Sequence, residues 1–155
     1  MMTCLELKIP PVAVLLMCGA GMWFVSVLFP ALAIYFPGRT VLAVVTGCVG
    51  VVFGVAGVRA FRAVSTTVDP RYPEKSSTVV RTGIYQRSRN PMYFGLLLIL
   101  SGWALFLAHA LAFVGLPVFV LYMNRFQIQP EERAMLSGFG DDYRDYLHSV
   151  RRWIQ

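Results

Sequence analysis

The sequence predicts an all-α integral membrane protein of about four transmembrane helices, which include a tight C-terminal hairpin, followed by a cytoplasmic amphipathic helix. Hydrophobic residues make up 57% of the 155 residues and charged residues only 14%, and the mean hydropathy is +0.61. Long apolar runs alternate with short polar segments, and each span needs about 20 apolar residues. We therefore predict a single domain over residues 1–155, with two scaffold spans in 1–62 and a loop, hairpin and C-terminal segment in 63–155.

The first span is predicted from Pro10 to about Phe29, since prolines suit both its start and the residue after its end. We interpret it as a retained span rather than a signal peptide, because Lys8 is the only basic residue before it and no Ala-x-Ala site follows. Residues 30–38 contain two prolines and a glycine, which predicts a short interfacial turn with Tyr35 as an aromatic anchor.

The second span is predicted from about Thr40 to Phe61. Its small residues fall on one helical stripe, formed by Gly47, Gly50, Gly54 and Gly57. Such a stripe favours close packing of another helix, although a ligand pressed against bare backbone is an alternative.

Residues 59–91 carry seven basic residues against Asp69 and Glu74. By the positive-inside rule this loop is cytoplasmic, which places both termini on the cytoplasmic side of what we expect to be the inner membrane. The basic residues lie beside apolar spans rather than in a solvated run, so the net charge of +6 indicates lipid head groups and not nucleic acid.

The third and fourth apolar runs extend from Met92 to about Phe126 and leave only residues 108–110 for a turn, with His109 as a polar residue at the tip. Each arm has about 17 residues, which is short for a full span. We predict a tight helical hairpin that is tilted or stops short of the far interface, with Pro117 kinking its second arm.

After Arg125 the pattern becomes amphipathic. Pro130, Glu131 and Glu132 favour a helix start, because proline suits the first turn and acids complement the macrodipole. Gly138 and Gly140 are expected to interrupt this helix. Beyond them apolar residues repeat at helical spacing as far as Ile154, which predicts a helix on the cytoplasmic surface.

No Walker loop, catalytic triad or metal-binding cluster is visible in the sequence, so no metal is predicted. The cysteines Cys4, Cys18 and Cys48 are scattered through apolar sequence and are interpreted as buried hydrophobic residues. The remaining candidates lie where spans meet the cytoplasmic side: Arg89, Asn90, Tyr93, Glu131 and Glu132. The predicted topology brings them to one face of the bilayer.

Four ordered motifs carry a resemblance to a known family. They are Val79-Val80-Arg81-Thr82-Gly83-Ile84-Tyr85, then Arg89-Asn90-Pro91-Met92-Tyr93, then Glu131-Glu132, then Phe139-Gly140-Asp141-Asp142-Tyr143-Arg144-Asp145-Tyr146. In this order around a hairpin they resemble the integral-membrane methyltransferases, which include isoprenylcysteine carboxyl methyltransferases and phospholipid N-methyltransferases. The resemblance covers roughly the C-terminal half of the chain.

The resemblance implies an S-adenosylmethionine-dependent methyltransferase with a lipophilic, membrane-associated acceptor, and it implies nothing about the oligomeric state. Positions that match the family's cofactor-binding residues are Ser77, Thr78, Val79, Val80, Tyr85, Asn90, Pro91, Met92, Tyr93 and Glu131. Arg89 and Glu132 are the implied catalytic residues. In this assignment Glu131 holds the ammonium or ribose, Arg89 holds a carboxylate, and two tyrosines form walls.

The acceptor is predicted most directly as an isoprenylcysteine carboxylate, with phospholipid N-methylation as the alternative. Asn90 stands where the family usually has histidine. Gln127 aligns with a basic residue that some carboxyl methyltransferases use for the substrate carboxylate, and Arg125 lies nearby, so both are substrate candidates. A non-catalytic transport or scaffold subunit would explain Arg89 as an interfacial arginine and the two glutamates as helix-start acids.

Overall fold

The computed structural model describes residues 6–64 and 78–154. Five α-helices follow one another along the described chain, joined by shorter helical turns. They are α1 (Pro11–Leu28), α2 (Arg39–Ala63), α3 (Pro91–Leu107), α4 (Gly115–Tyr122) and α5 (Gln129–Ser149). Turns of 3₁₀-helix cover Pro30–Leu32, Gly83–Gln86 and Ala110–Val114, and a π-helix covers Met123–Ile128.

Helices α1 and α2 are each long and apolar enough to cross a membrane, and so is the helical run that starts at Ala110. Helix α3 has 17 residues, or about 25 Å at the usual rise, which confirms the short hairpin arm. Many large apolar side chains on α1 and α2 are exposed, as lipid-facing residues would be; Leu16 is 66% exposed and Val41 68%. The fold is that of an all-α membrane protein, as predicted.

Helices α2 and α3 form the closest packing in the molecule. A Cβ atom built on Gly50 would lie 2.6 Å from the Gly95 carbonyl oxygen, and one built on Gly102 would lie 2.7 Å from the Ala43 carbonyl oxygen. Backbones this close leave no room for a side chain. The glycine stripe is therefore a helix-packing surface, as the sequence favoured.

Replacing Gly50 by alanine is expected to lower the free energy of unfolding by about 1–3 kcal/mol, because the added methyl group must push α3 away. Gly54→Ala, one turn further on, is the matched control, since a Cβ there meets nothing within 4 Å. Reversible unfolding in mixed micelles measures both variants. Equal stability of the two variants would contradict the packing argument.

Helix α1 lies against α3 and the second arm of the hairpin rather than against α2. The Trp103 indole Nε1 donates a hydrogen bond to the Gly19 carbonyl at 3.0 Å. At the hairpin tip, His109 Nε2 lies 2.8 Å from the Phe29 carbonyl oxygen, which makes Nε2 the donor, and Ile34 N donates to the Ala108 carbonyl. His109 is only 1% exposed, and its ring connects the hairpin tip to the end of α1.

The hairpin turns at Ala108, whose φ of 46° places it in the left-handed region. Pro117 lies in the first turn of α4, where a missing N–H is tolerated, so it begins a helix instead of kinking one as predicted. The irregularity of this arm lies in the π-helix at residues 123–128, immediately before the two glutamates. Such wide turns inside helices are frequent at functional sites.

Helix α5 is interrupted at Gly140, whose φ of 54° and ψ of −127° are not helical, whereas Gly138 continues the helix. The prediction of helix as far as Ile154 is wrong. The helix ends at Ser149, and Val150 is extended. Cys48 is exposed on α2, so its predicted burial is also wrong; Cys4 lies outside the described residues.

Candidate active site at the base of the hairpin

The start of α3 and the start of α5 meet at Glu131. The Tyr93 hydroxyl donates a short hydrogen bond to Glu131 Oε1, and Gln127 Nε2 donates to the same oxygen at 2.5 Å. Tyr93 is 6% exposed and Gln127 2%, so both donors are held by surrounding packing. Within residues 6–64 and 78–154, Glu131 Oε2 accepts no hydrogen bond. One carboxylate oxygen is thus fixed, and the other is left for a further donor.

Tyr85 forms a wall beside this carboxylate. It lies in the 3₁₀ turn Gly83–Gln86, which Gly83 enters with a φ of 61°, a conformation that favours glycine. The Tyr146 hydroxyl donates to the Tyr85 carbonyl at 2.7 Å, and the Phe61 ring packs edge-on at 5.3 Å. Burial raises the pKa of Tyr85 well above its usual value, and Tyr146 and Glu131 act in the same direction. Tyr85 is therefore a neutral phenol at neutral pH.

Glu132 belongs to a separate ionic cluster. Arg152 forms a two-point contact with it, from Nε to Oε1 at 3.1 Å and from an η nitrogen to Oε2 at 2.6 Å. An Arg89 η nitrogen lies 3.3 Å from Oε1, and the side chains of Arg89 and Glu132 are only 11% and 13% exposed. Arg89 Nε is buried and has no partner within the described part of the chain. The two implied catalytic residues are therefore ion-paired with each other.

Residues 150–154, the C-terminal strap, dock on the segment that precedes α3. Arg89 N donates to the Arg151 carbonyl at 3.0 Å, and Asn90 Nδ2 donates to the Arg152 carbonyl at 2.9 Å. The Trp153 indole donates to Asn124 Oδ1 at 3.2 Å, which connects the strap to the π-helix. Asn90 thus acts here through an amide donor, a role that needs no charge.

Arg152→Gln is expected to loosen the strap, because it removes the charged two-point contact with Glu132 but leaves the backbone bonds. Loss of about 1–2 kcal/mol of local stability corresponds to roughly 5- to 30-fold faster amide exchange in peptides covering the strap. Arg151→Gln is the control, since the exposed Arg151 contributes its carbonyl and no described side-chain bond. Hydrogen exchange with mass spectrometry measures the difference. Equal protection in both variants would mean that the ion pair does not hold the strap.

The substrate candidate Arg125 lies on the outer side of the π-helix and is paired with Glu6. Glu6 accepts from Arg125 and from Arg133, both at 2.7 Å, while its own side chain is 2% exposed. Leu7 N donates to the Phe126 carbonyl at 3.0 Å. The N-terminal segment therefore covers this side of the hairpin base. Sequence analysis missed Glu6, although it is the only acid before Asp69.

Only some of the predicted cofactor residues lie together. Tyr85, Tyr93 and Glu131 come together. Val80, which precedes Tyr85 in the chain, is buried and 5% exposed. Val79 packs on the cluster of Tyr143, Tyr146 and Val150. Met92 points into the crevice between α2 and α3, beside Gly57. Thr78 is half-buried and Pro91 is buried at the start of α3, whereas Ser77 lies outside the described residues.

Two contacts that complete the site had no clear signal in the sequence. Arg152 looked like one of several arginines on an amphipathic helix, yet it is the principal partner of Glu132. Tyr146 belonged to a quoted motif but was not chosen as a site residue, and its hydroxyl positions the Tyr85 backbone. Both contacts depend on the non-helical course of the chain beyond Ser149 and at Gly140.

These features define a multi-span, all-α membrane protein with a fixed carboxylate at the base of a helical hairpin. A phospholipid methyltransferase family model matches residues 38–142, about two thirds of the chain. The protein therefore belongs to the phospholipid methyltransferase family. The match includes both halves of the Tyr93–Glu131 contact and leaves out α1 and the C-terminal strap.

Two relatives are similar to this chain. A protein-S-isoprenylcysteine O-methyltransferase of Saccharomyces cerevisiae is 31% identical over 134 residues, which cover 81% of this chain and 54% of that protein. An uncharacterised protein of Haemophilus influenzae is 51% identical over 63 residues, which cover 41% of this chain and 100% of that protein. The chain thus spans about half the length of the yeast relative. No solved structure matches it.

Proposed function

We propose that this protein transfers a methyl group from S-adenosylmethionine to a lipophilic acceptor in the membrane, most closely as an isoprenylcysteine carboxyl O-methyltransferase does. Family membership and the name of the yeast relative support methyl transfer. The observation that carries the proposal is the Glu131 carboxylate, which Tyr93 and Gln127 hold by one oxygen only.

The residues at the hairpin base fit the methyl donor. S-adenosylmethionine carries an ammonium, a carboxylate, hydroxyls and a ring system, and when bound it supplies an electrophilic methyl group on a sulfonium sulfur. Glu131 Oε2 offers an acceptor for the ammonium or ribose hydroxyls. The buried Arg89 Nε has no partner among residues 6–64 and 78–154 and offers a donor for the carboxylate. The neutral rings of Tyr85 and Tyr93 form walls that can contact the ring system or the cation.

The contacts of Glu132 with two arginines support a carboxylate as the methyl acceptor rather than an amine. A carboxylate attacks a methyl carbon without losing a proton, so the enzyme mainly aligns the reactants and excludes water. A protonated amine must first give up a proton to a base. Both oxygens of Glu132 already accept from arginine side chains, which leaves it poorly placed to be that base.

Phospholipid N-methylation is the second candidate, and the family's own description favours it. In this reading the amine proton passes to the Tyr93–Glu131 pair, which is joined by a hydrogen bond and lies beside the wall formed by Tyr85. The two reactions share the donor site and differ in the acceptor alone.

We also propose that the hairpin base faces the cytoplasm from the inner membrane. Most arginines of the described chain gather at this end of the bundle, at the end of α2, in residues 81–89 and around the strap, whereas Arg39 begins α2 at its other end. Excess basic charge marks the cytoplasmic side of membrane proteins.

The proposal is tested by titrating S-adenosylmethionine or S-adenosylhomocysteine into the purified protein in nanodiscs. Saturable binding is expected, and a folded protein that binds neither compound would overturn the proposal. Labelled methyl donor is then supplied with prenylcysteine analogues or with extracted phospholipids. A base-labile product identifies an ester, and a base-stable product identifies a methylated amine.

A further inference from the structure

A groove runs along the outside of the α2–α3 contact, starting at the end of α2 next to the Tyr85 turn. This basic-end groove has a cavity volume of about 440 Å³, and its apolar floor includes Gly54, Leu96 and Ile99. A larger apolar groove of about 690 Å³ lies between α1 and α2 with α3 as its floor, and Ile99 also lines it. Together they form a long apolar trough parallel to the helices.

Two arginines lie at the polar end of this trough. Arg59 and Arg62 both line the basic-end groove, are three residues apart on α2, and are exposed. Neither makes an ion pair with any residue in 6–64 or 78–154. No acidic or aromatic residue lines this groove, so its charge has no counterpart in the described protein.

We propose that this groove binds one anionic phospholipid, whose phosphate contacts Arg59 and Arg62 and whose acyl chain lies in the trough over Gly54 and Ile99. Paired guanidinium groups suit phosphate oxygens. The apolar floor requires an attached chain, which a free phosphate lacks. The lipid fills space that side chains leave open, because a Cβ at Gly54 would meet nothing within 4 Å.

The lining also decides which lipid is preferred. Recognition of an ammonium head group uses aromatic faces or carboxylates, and the described residues that line the basic-end groove offer neither. Two positive charges that pair with no acid among residues 6–64 and 78–154 therefore favour a head group with net negative charge over a zwitterionic one. Of the predicted cofactor residues, Met92 lines this groove, whereas Glu131 and Tyr93 do not. The proposed lipid contacts Arg59 and Arg62 on α2, and its binding does not depend on the proposed reaction.

Thermal unfolding in neutral detergent tests the proposal, with phosphatidylglycerol, phosphatidylcholine or glycerol 3-phosphate added. We expect phosphatidylglycerol to raise the melting temperature by about 5 °C at saturation, and the other two compounds to have little effect. The double variant Arg59→Gln/Arg62→Gln is expected to lose most of this shift and to retain fewer lipids in native mass spectrometry. Arg39→Gln, which removes one positive charge at the opposite end of α2, is the positional control.

A second variant tests the trough independently of charge. Gly54→Leu places a side chain on the groove floor and is expected to abolish the shift while both arginines remain. Equal shifts in the wild type, the double variant and the Arg39→Gln control would overturn the proposal, and so would equal shifts with phosphatidylcholine. A full shift with glycerol 3-phosphate alone would mean that the arginines bind phosphate without an acyl chain. That result would also overturn the proposal.

Discussion

Replacing Glu131 by glutamine is expected to weaken S-adenosylmethionine binding by about 30- to 140-fold, a loss of roughly 2–3 kcal/mol. Glutamine keeps a carbonyl oxygen for the Tyr93 hydroxyl and for Gln127, so the local geometry is preserved. What is lost is the carboxyl group, which would ionise opposite the donor's ammonium when the donor is bound. Isothermal titration calorimetry on the folded protein measures the change.

Asp141→Asn is the matched control for Glu131→Gln. It removes one negative charge from the same helix at an exposed position, where the described side chain pairs only with Arg144. Its binding constant should equal that of the wild type. If the two variants bind the donor equally well, Glu131 is not a cofactor residue, and the assignment of this cluster must be abandoned.

Replacing the neighbouring Glu132 by glutamine is expected to act on stability, with a loss of roughly 3 kcal/mol in the free energy of unfolding. The substitution leaves the guanidinium of Arg89 without its counter-charge in a site where the arginine side chain is only 11% exposed. An uncompensated buried charge is costly. The same change releases Arg152 and with it the strap. Reversible unfolding in mixed micelles measures the effect.

The double variant Glu132→Gln/Arg89→Gln tests whether Glu132 acts as the counter-charge of Arg89 or as a catalytic residue. If the cost comes from the stranded charge of Arg89, removing that charge as well should recover a large part of the lost stability. A Glu132→Gln variant that keeps wild-type stability but loses methyl transfer would instead make Glu132 a catalytic residue. That outcome would contradict the structural role inferred from its contacts.

The adjacent glutamates thus have different expected roles although the sequence presents them as a pair. Residues next to each other on a helix point about 100° apart, so they contact different neighbours. Glu131 faces Tyr93 of α3, and Glu132 faces Arg89 and the C-terminal strap. Contacts with neighbouring segments, and not the Glu-Glu motif itself, decide which of the two keeps an oxygen that no described residue contacts by a hydrogen bond.

The sequence by itself determined the membrane class, the short hairpin, the close-packing glycine stripe of the second span and the position of Tyr93 and Glu131 at the same end of the hairpin. Hydrophobic length, turn residues and glycine spacing can be read from neighbouring residues alone. They suffice here because a chain in lipid has few ways to satisfy its backbone hydrogen bonds. The same reasoning placed the turn at residues 108–110 and predicted helix breaks at Gly138 and Gly140, of which only the break at Gly140 is present.

Only the tertiary structure decided which charged groups pair with which. The chain leaves the helix after Ser149, so Arg152 reaches back to Glu132, which also pairs with Arg89. At the other end of the chain, Glu6 folds over Arg125 and Arg133. These partners are 20 to 127 positions apart along the chain. Local spacing carries no information about contacts of this range. The physical reason is that ion pairing depends on distance and burial in the folded chain, whereas sequence patterns report only which residues are neighbours along it.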